Sequence, residues 1–194
     1  KKITKKKLNR QHSVELLFHG RLVERKGCLE LLKSFAYAKE HKLLKKDCFL
    51  HISGDGPDKE KLKKFVKNNN LTKFVKFHGR TTAEQKFRLM QLSDITIYPA
   101  MSGESFGVVT VEAMATAHPI VLAGNNPGYA SVLSEAKDSL FDSKNTPEFA
   151  KHIAKYVNNK KSRDTLFKLQ QKLVKKYDVK QVTKQVLELY YGDR

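Results

Sequence analysis

Hydrophobic positions follow two alternating patterns along the chain. Short apolar runs, typical of buried strands, are separated by longer stretches in which apolar residues recur every three or four positions, as on one face of a helix. The apolar runs predict strands at 14–18, 49–53, 74–78, 95–98 and 119–123, with a shorter one near 139–141. The intervening stretches predict helices at about 27–40, 59–68, 82–92, 106–117, 147–158, 162–176 and 179–191, with one short helix before the last strand.

This alternation predicts the fold class. Strands that alternate with helices are joined by crossover helices and therefore lie parallel in one sheet. We expect an α/β fold with a doubly wound, mostly parallel, Rossmann-like sheet, which binds ligands beyond the carboxyl ends of its strands. The 194 residues are enough for one such domain with a buried core. We predict a basic linker at 1–13, the domain at 14–176 and a C-terminal helix at 177–194.

The chain is strongly basic, with 38 lysines and arginines against 20 acidic residues and a formal net charge of +18. Lysines are scattered over most predicted helices. Proteins that bind nucleic acid combine basic grooves with stacking aromatic side chains or base-reading motifs. No such interleaving is present, so nucleic acid is not an expected partner. Solvated helix faces explain the charge, and attraction to an anionic membrane surface or an anionic ligand is the functional alternative.

Several sequence features bear on location. No apolar run approaches the roughly 18 residues that a membrane span needs, and the basic start is not followed by the apolar stretch of a signal peptide. Cys28 and Cys48 lack metal-ligand spacing, so a reduced cytoplasmic protein is the simplest interpretation, with a disulfide as the less favoured alternative. The charge leaves open a peripheral position at the inner membrane face. Because the first residue is Lys1 rather than Met, we expect a fragment, although a trimmed whole protein fits as well.

The most informative stretch runs from Ser102 to Ala115, directly after the fourth predicted strand. Gly107 opens a helix there, and the first amides of a helix lack internal partners and lie at the positive end of its dipole, so they bind phosphate well. Glu112, pointing sideways, could accept two hydrogen bonds from a vicinal diol such as ribose. Glu104 could do the same for sugar hydroxyls. Ordinary surface glutamates near a helix start explain the pattern equally well.

Three other stretches also follow predicted strands. Arg21 and Lys26 are five residues apart across a turn after the first strand, so both could reach into the crevice and neutralise a diphosphate. Solvated basic residues in a loop are the alternative. The stretch 54–57 after the second strand is a turn signal. The stretch 77–81 after the third strand could frame a nucleobase edge, but alone it is only a strand end.

Taken together, these stretches resemble glycosyltransferase family 4, retaining enzymes with the GT-B fold. The carboxyl-terminal domain of that family carries, in order, G-R-x(n)-K-G, G-x-G-P, F-x-G, S-D-x-x-x-x-P and E-x-F-G-x-x-x-x-E-A-x-A. All five motifs occur here in that order, at 20–27, 54–57, 77–79, 93–99 and 104–115. The likeness spans about residues 14–191, and the stretch 103–115 is most similar to phosphatidylinositol mannosyltransferases. The resemblance implies one half of a GT-B fold.

The resemblance also implies a role for each matched position. Arg21 and Lys26 would hold the diphosphate of a nucleotide-sugar donor. Glu104, with the backbone at 105–106, would hold the transferred sugar, and these three charged residues are the implied catalytic ones. The implied substrate-binding residues are Gly20, Arg80, Thr81, Ser105, Phe106, Gly107, Val108 and Glu112.

Within that set, the amides of Gly107 and Val108 would bind phosphate oxygens, and Glu112 would take the ribose hydroxyls. Arg80 and Thr81 would lie beside the base. Cationic side chains and the helix start would neutralise the donor, so the resemblance implies neither a tightly bound metal nor a cofactor.

The implied function is that of the donor-binding half of a retaining glycosyltransferase in glycan or glycolipid biosynthesis. The whole enzyme would transfer a hexose from a UDP- or GDP-sugar to a lipid or saccharide acceptor. An amino-terminal acceptor domain of the same protein would be the partner, and the helix at 177–194 would pack toward it. The isolated chain would then be inactive. The alternative is a non-catalytic nucleotide-binding partner of a split transferase.

Overall fold

The computed structural model describes residues 13–192, so the predicted basic linker lies outside the described residues except for Ser13. The described chain forms a six-stranded sheet with flanking helices. The strands are β1 (Val14–His19), β2 (Cys48–Ser53), β3 (Val75–Gly79), β4 (Ile95–Tyr98), β5 (Ile120–Gly124) and β6 (Leu140–Phe141). The helices are α1 (Cys28–Glu40), α2 (Lys59–Asn68), α3 (Ala83–Leu92), α4 (Val108–Ala115), α5 (Pro127–Val132), α6 (Thr146–Asn158), α7 (Lys160–Val174) and α8 (Val179–Tyr191).

The sheet has the strand order β3-β2-β1-β4-β5-β6, and every neighbouring pair is parallel. This is the order of doubly wound, dinucleotide-binding sheets, and the predicted fold class is confirmed. The chain leaves β1 toward one edge of the sheet and returns at β4 toward the other. A crevice therefore opens beyond the carboxyl ends of β1 and β4.

Two predicted helices differ from the structure by two residues at each end. The helix predicted at 106–117 is shorter, because Gly107 and Ala117 have left-handed φ angles of 85° and 52° that end the helical conformation on either side. The helix predicted at 162–176 begins two residues earlier. Asn159 caps it there, accepting a hydrogen bond from the Ser162 amide through its side chain.

The two faces of the sheet differ in chemistry. Alternate residues point to opposite faces of a strand, and residues paired in register share a face. Leu16 and Phe18 on β1 belong to an apolar face that is fully buried. The opposite face carries His19, which pairs in register with Ser53, and Leu17, which pairs with His51. Helix α3 contacts β1, and polar side chains are concentrated on the face that carries His19 and His51.

A hydrogen-bonded chain crosses that polar face. His51 Nε2 lies 2.8 Å from Glu15 Oε2, and His51 Nδ1 lies 2.8 Å from His78 Nε2. Glu15 and His51 are both buried, and Ser13 Oγ donates to Glu15 Oε1 at 2.8 Å. Burial, followed by the neighbouring His51 and Lys76, lowers the pKa of His78 from 6.5 to about 4. His78 is therefore neutral at pH 7, and its Nε2 faces the neighbouring His51 ring as part of an uncharged imidazole.

A side chain replaces a missing strand at the edge of β5. Strand β6 pairs only with Ala123 and Gly124, which leaves the backbone of Val121 without a strand partner on that side. Gln170 of α7 is fully buried there and forms both ladder bonds, accepting from Val121 N at 2.9 Å and donating to Val121 O at 2.8 Å. Helix α7 is thereby tied to the sheet by backbone-like hydrogen bonds.

The last helix of the described chain is poorly covered. No residue of α8 is buried among residues 13–192. Its exposed large apolar side chains are Val179, Val182, Val186, Leu187, Leu189, Tyr190 and Tyr191. None of the helices within residues 13–192, α8 included, combines the length and the hydropathy that a membrane-spanning segment requires. Packing of this helix toward another domain remains a prediction.

The lowered pKa of His78 predicts acid-sensitive stability. Unfolded His78 takes up a proton near pH 6.5, whereas the folded residue does so only near pH 4, so protonation favours the unfolded chain between these values. The free energy of unfolding should fall as the pH is lowered from 7 to 5. Urea titrations should show a weaker pH dependence for His78→Gln, with exposed His41→Gln as the control. An unchanged pH slope in His78→Gln would contradict this account.

Candidate active site

A cleft of about 290 Å³ lies at the point where the strand order reverses. It is bounded by the end of β1, the end of β4 and the start of α4. Its lining residues are Phe18, His19, Gly20, Lys26, Tyr98, Val108, Val109, Glu112 and Tyr129. Both cationic and anionic side chains therefore meet at the place where a doubly wound sheet binds ligands.

A left-handed glycine positions the basic side of this cleft. After β1 the chain makes a short 3₁₀ turn at Glu24–Lys26, which ends at Gly27 with a φ of 71°. A Cβ at Gly27 would lie 2.0 Å from the carbonyl oxygen of Pro99, so only glycine permits this approach. The Met101 amide also donates to Arg25 O at 3.0 Å. The turn that carries Arg25 and Lys26 is thus held against the segment that follows β4.

Glu104 is the anionic partner of that turn. Its Oε1 accepts hydrogen bonds from Lys26 Nζ and, at 3.2 Å, from Arg25 Nη1. Arg25 Nη1 also donates to Gly103 O at 3.1 Å. The Glu104 side chain is 11% exposed, and burial together with Glu104 raises the pKa of nearby Tyr129. Glu104 is therefore a largely buried carboxylate whose charge is balanced by two cations.

Glu112 has a cationic partner of its own. Lys86 Nζ on α3 donates to Glu112 Oε1 on α4 at 2.7 Å. The two side chains are 17% and 31% exposed, so water screens this pair more than it screens Glu104. The pair joins α3 to α4 above the end of β1. Glu112 Oε1 is occupied, while the residue still lines the cleft.

The start of α4 packs tightly against Tyr129. Gly107 precedes the helix with a φ of 85°, and a Cβ there would lie 2.5 Å from Tyr129 Cδ1. Thr110 closes the first turn, since its amide and its hydroxyl both donate to Gly107 O, at 2.8 and 2.7 Å. The first amides of α4 lie beside the cleft through Val108 and Val109, and such amides favour anions.

A short relay of side chains reaches the cleft from the opposite direction. His19 Nδ1 lies 3.1 Å from Ser53 Oγ, which lies 2.9 Å from Thr81 Oγ1. Burial, followed by Lys86, lowers the pKa of His19, and Glu112 partly opposes the shift. The relay links the ends of β1 and β2 to the segment after β3.

A family model described as "Glycosyl transferases group 1" matches residues 1–176. The chain belongs to this family. The resemblance to family 4 glycosyltransferases is thereby confirmed.

Individual relatives agree with this assignment. An uncharacterised glycosyltransferase of Methanocaldococcus jannaschii is 31% identical over 160 residues, covering 82% of this chain and 39% of that protein. The phosphatidyl-myo-inositol mannosyltransferase of Mycobacterium leprae is 29% identical over 181 residues, covering 90% of this chain and 46% of that protein. With 39% and 46% coverage, the chain spans less than half the length of these two curated relatives.

A solved structure with the same fold is the Anabaena protein HepE, determined in complex with UDP and glucose. Its TM-score is 0.81 at 20% sequence identity, and the match covers 97% of this chain and 51% of that one. At this identity the likeness shows the fold alone. The chain therefore has the fold of half of a GT-B glycosyltransferase.

The structure brings some of the expected glycosyltransferase site residues together. Gly20, Lys26, Val108 and Glu112 line the cleft, and Glu104 joins them through its contact with Lys26. Their roles in binding or catalysis remain predictions.

Other expected site residues lie further out. Arg21 and Arg80 are exposed, and within residues 13–192 neither side chain makes a hydrogen bond or an ion pair. Ser105 is exposed, and Phe106 packs edge-on against Tyr177 with ring centroids 5.6 Å apart. Arg21 and Arg80 would therefore have to turn inward to contact a ligand.

Three basic residues at this site were absent from the sequence-based set. Arg25 contacts Glu104, Lys86 contacts Glu112, and His19 lines the cleft. Arg25 and His19 are sequence neighbours of Lys26 and Gly20, so proximity to a motif was a usable signal. Lys86 is 26 residues from Glu112, and no local pattern marks it.

The close approach at Gly27 predicts that two glycine-to-alanine substitutions differ in their effect on stability. Gly79 also has a left-handed φ, 69°, but nothing lies within 4 Å of the position of its Cβ. Gly79→Ala should cost only the conformational strain, about 1–2 kcal/mol of unfolding free energy. Gly27→Ala should cost clearly more, because it adds the clash with Pro99 O, and urea denaturation of both variants measures the difference. Equal losses would show that the turn does not depend on this contact.

Proposed function

We propose that this chain is the donor-binding part of a retaining glycosyltransferase. The whole enzyme transfers a hexose from a UDP- or GDP-sugar to a lipid or saccharide acceptor. Family membership supports transferase chemistry. The observation that carries the proposal is the convergence of Lys26, Glu104 and Glu112 at the reversal of strand order. The Anabaena neighbour was also solved with UDP-glucose, which supports a nucleotide-sugar ligand.

The donor diphosphate binds between Lys26 and the start of α4. Lysine is a strong phosphate partner, and the first amides of a helix add donors and a favourable dipole. Arg21 is exposed next to Gly20, which lines the cleft. In the complex the Arg21 side chain turns inward and adds a second cationic contact to the diphosphate. The same cations stabilise the negative charge that builds on the diphosphate as it leaves. No metal is required for this step in the proposed mechanism.

Glu104 binds the transferred sugar after an exchange of ion pairs. In the structure Lys26 and Arg25 both donate to Glu104 Oε1. A diphosphate carries more charge than one carboxylate and draws Lys26 toward itself. Glu104 then accepts hydrogen bonds from sugar hydroxyls, with the backbone at 105–106 beside it. Because Glu104 is largely buried, leaving it unpaired is costly, so it favours ligands that supply hydroxyl donors.

Glu112 binds the ribose of the nucleotide. Lys86 engages only Oε1, which leaves Oε2 to accept from a ribose hydroxyl. The base lies toward Arg80 and Thr81, at the end of the relay that begins at His19.

A second domain completes the enzyme in this proposal. The chain covers 46% of the mycobacterial mannosyltransferase and 51% of the Anabaena neighbour, which supports an acceptor domain of similar size. The apolar side chains exposed along α8 are a suitable surface to pack against it. The net charge of +18 supports a cytoplasmic protein held peripherally at an anionic membrane surface.

Nucleotide binding by the chain is the first test. Lys26→Ala and Glu112→Ala should each weaken binding of UDP or GDP by about 1.5–3 kcal/mol, the loss of one charged hydrogen bond. Isothermal titration calorimetry measures the effect. Lys63→Ala is the matched control, because Lys63 pairs with Glu60 on the exposed side of α2. If both site variants bind like the control, the donor site is misplaced.

Glu104→Ala should separate sugar recognition from nucleotide recognition. Its partners Lys26 and Arg25 lose a competing carboxylate, so binding of free UDP or GDP should be retained or strengthened. Binding of the sugar-conjugated donor should weaken, since the hydroxyl contacts are lost. Calorimetry with UDP and UDP-glucose, and with GDP and GDP-mannose, measures the ratio. An equal effect on the free and conjugated nucleotide would remove Glu104 from the sugar site.

Sugar transfer should require the acceptor domain. In the proposed mechanism the reaction takes place in the cleft between two domains, where reactants are aligned and water is excluded. The 194-residue chain should therefore show no turnover with lipid or saccharide acceptors in a radiolabelled-donor assay, whereas a two-domain form should. Turnover by this chain alone, lost on Glu104→Ala, would overturn the two-domain proposal.

A further inference from the structure

His19 occupies a central position at the cleft. It is the last residue of β1, at the reversal of strand order, and its half-buried ring lines the same cleft as Lys26 and Glu112. Neither its family motif nor its local pattern assigns it a role. Its environment indicates one. The polar ring of His19 lies beside Lys26 and Glu112, so a ligand bound between those charged groups would contact the ring.

One nitrogen of the ring is already engaged. Nδ1 lies 3.1 Å from Ser53 Oγ, and Ser53 Oγ lies 2.9 Å from Thr81 Oγ1. A serine hydroxyl has a single proton, so the relay has two possible directions. If Thr81 donates to Ser53, then Ser53 donates to Nδ1 and the ring proton lies on Nε2. If the direction is reversed, Nδ1 carries the proton and Nε2 is an acceptor.

The other nitrogen has no protein partner. Within residues 13–192, His19 Nε2 makes no hydrogen bond. Burial and the cation of Lys86 lower the pKa of the ring, so it is neutral at pH 7 with one donor and one acceptor. The direction of the relay therefore decides whether the cleft is offered an N–H or a lone pair.

We propose that His19 binds a phosphate oxygen of the donor nucleotide through Nε2–H, and that Ser53 and Thr81 fix the tautomer that makes this possible. Phosphate oxygens only accept hydrogen bonds, so a bound diphosphate selects the direction from Thr81 through Ser53 to Nδ1. A neutral ring suits this position, since Lys26 and Lys86 already supply positive charge. The inference rests on the proposed donor-binding function and adds a specific contact to it.

Substituting His19 by glutamine or asparagine distinguishes the roles of its two ring nitrogens. A glutamine amide nitrogen reaches approximately the position of Nε2, and an asparagine amide that of Nδ1. His19→Gln should therefore bind UDP and GDP within a few-fold of the wild type. His19→Asn and His19→Phe should bind roughly 10- to 100-fold more weakly, the loss of one hydrogen bond to a charged group. His41→Gln is the control, because His41 is exposed and its ring contacts only Tyr37.

The tautomer provides a readout that a structural role would not change. Two-bond ¹H–¹⁵N spectra of the histidine rings at pH 7.5, with saturating UDP, should show His19 protonated at Nε2. Ser53→Ala should keep the fold, as judged by thermal unfolding, but raise the fraction protonated at Nδ1 and weaken UDP binding. Thr81→Val should act in the same direction.

The outcomes distinguish this inference from the proposed function. If the wild-type chain binds neither UDP nor GDP, both are overturned. If it binds them and His19→Asn and His19→Phe bind equally well, only the role of His19 is overturned. If all three His19 variants lose affinity equally while UDP-bound His19 is protonated at Nδ1, the residue supports the cleft structurally and makes no phosphate contact.

Discussion

The contact between the turn at Gly27 and the carbonyl of Pro99 determines the geometry of the site. The turn follows β1 and the carbonyl follows β4. These two strands are adjacent at the point where the strand order of the sheet reverses. Their loops can meet because Gly27 has no Cβ. A Cβ at this residue would lie only 2.0 Å from the carbonyl oxygen of Pro99. Lys26 is carried by this turn, and its distance from Glu104 follows from the same contact.

Charge compensation inside the cleft sets the energetics of binding. Each carboxylate at the site already has a cation, Lys26 for Glu104 and Lys86 for Glu112. The free energy of ligand binding is therefore the difference between the contacts that the ligand makes and the ion pairs that it replaces. This difference is smaller than the new contacts alone would give. The arrangement also stabilises the site itself, because Glu104 and Glu112 are both paired. Preorganised groups of this kind lower the cost of ordering the site when the ligand binds.

Much of the fold, and less of the site, could be predicted from the sequence. Strands and helices follow the spacing of apolar residues, and the helix start at Gly107 is marked by a motif. The pairing of Lys86 with Glu112 is not marked, because it depends on where α3 lies relative to α4. Arg21 is exposed in the structure, so the crevice shared with Lys26 that its spacing suggested stays a prediction. Arg25, which the 3₁₀ turn carries, contacts Glu104 instead.

The polar face of the sheet connects stability with the site. Glu15, His51 and His78 form one hydrogen-bonded chain, and His19, Ser53 and Thr81 form another on the same face. Both occupy positions where aliphatic residues would bury more apolar surface. The second chain ends at the cleft, where His19 Nε2 makes no hydrogen bond within residues 13–192. Polar groups in a sheet cost stability unless they are paired or hydrated, so a phosphate oxygen that accepts from Nε2 would replace the water that this end of the chain can reach.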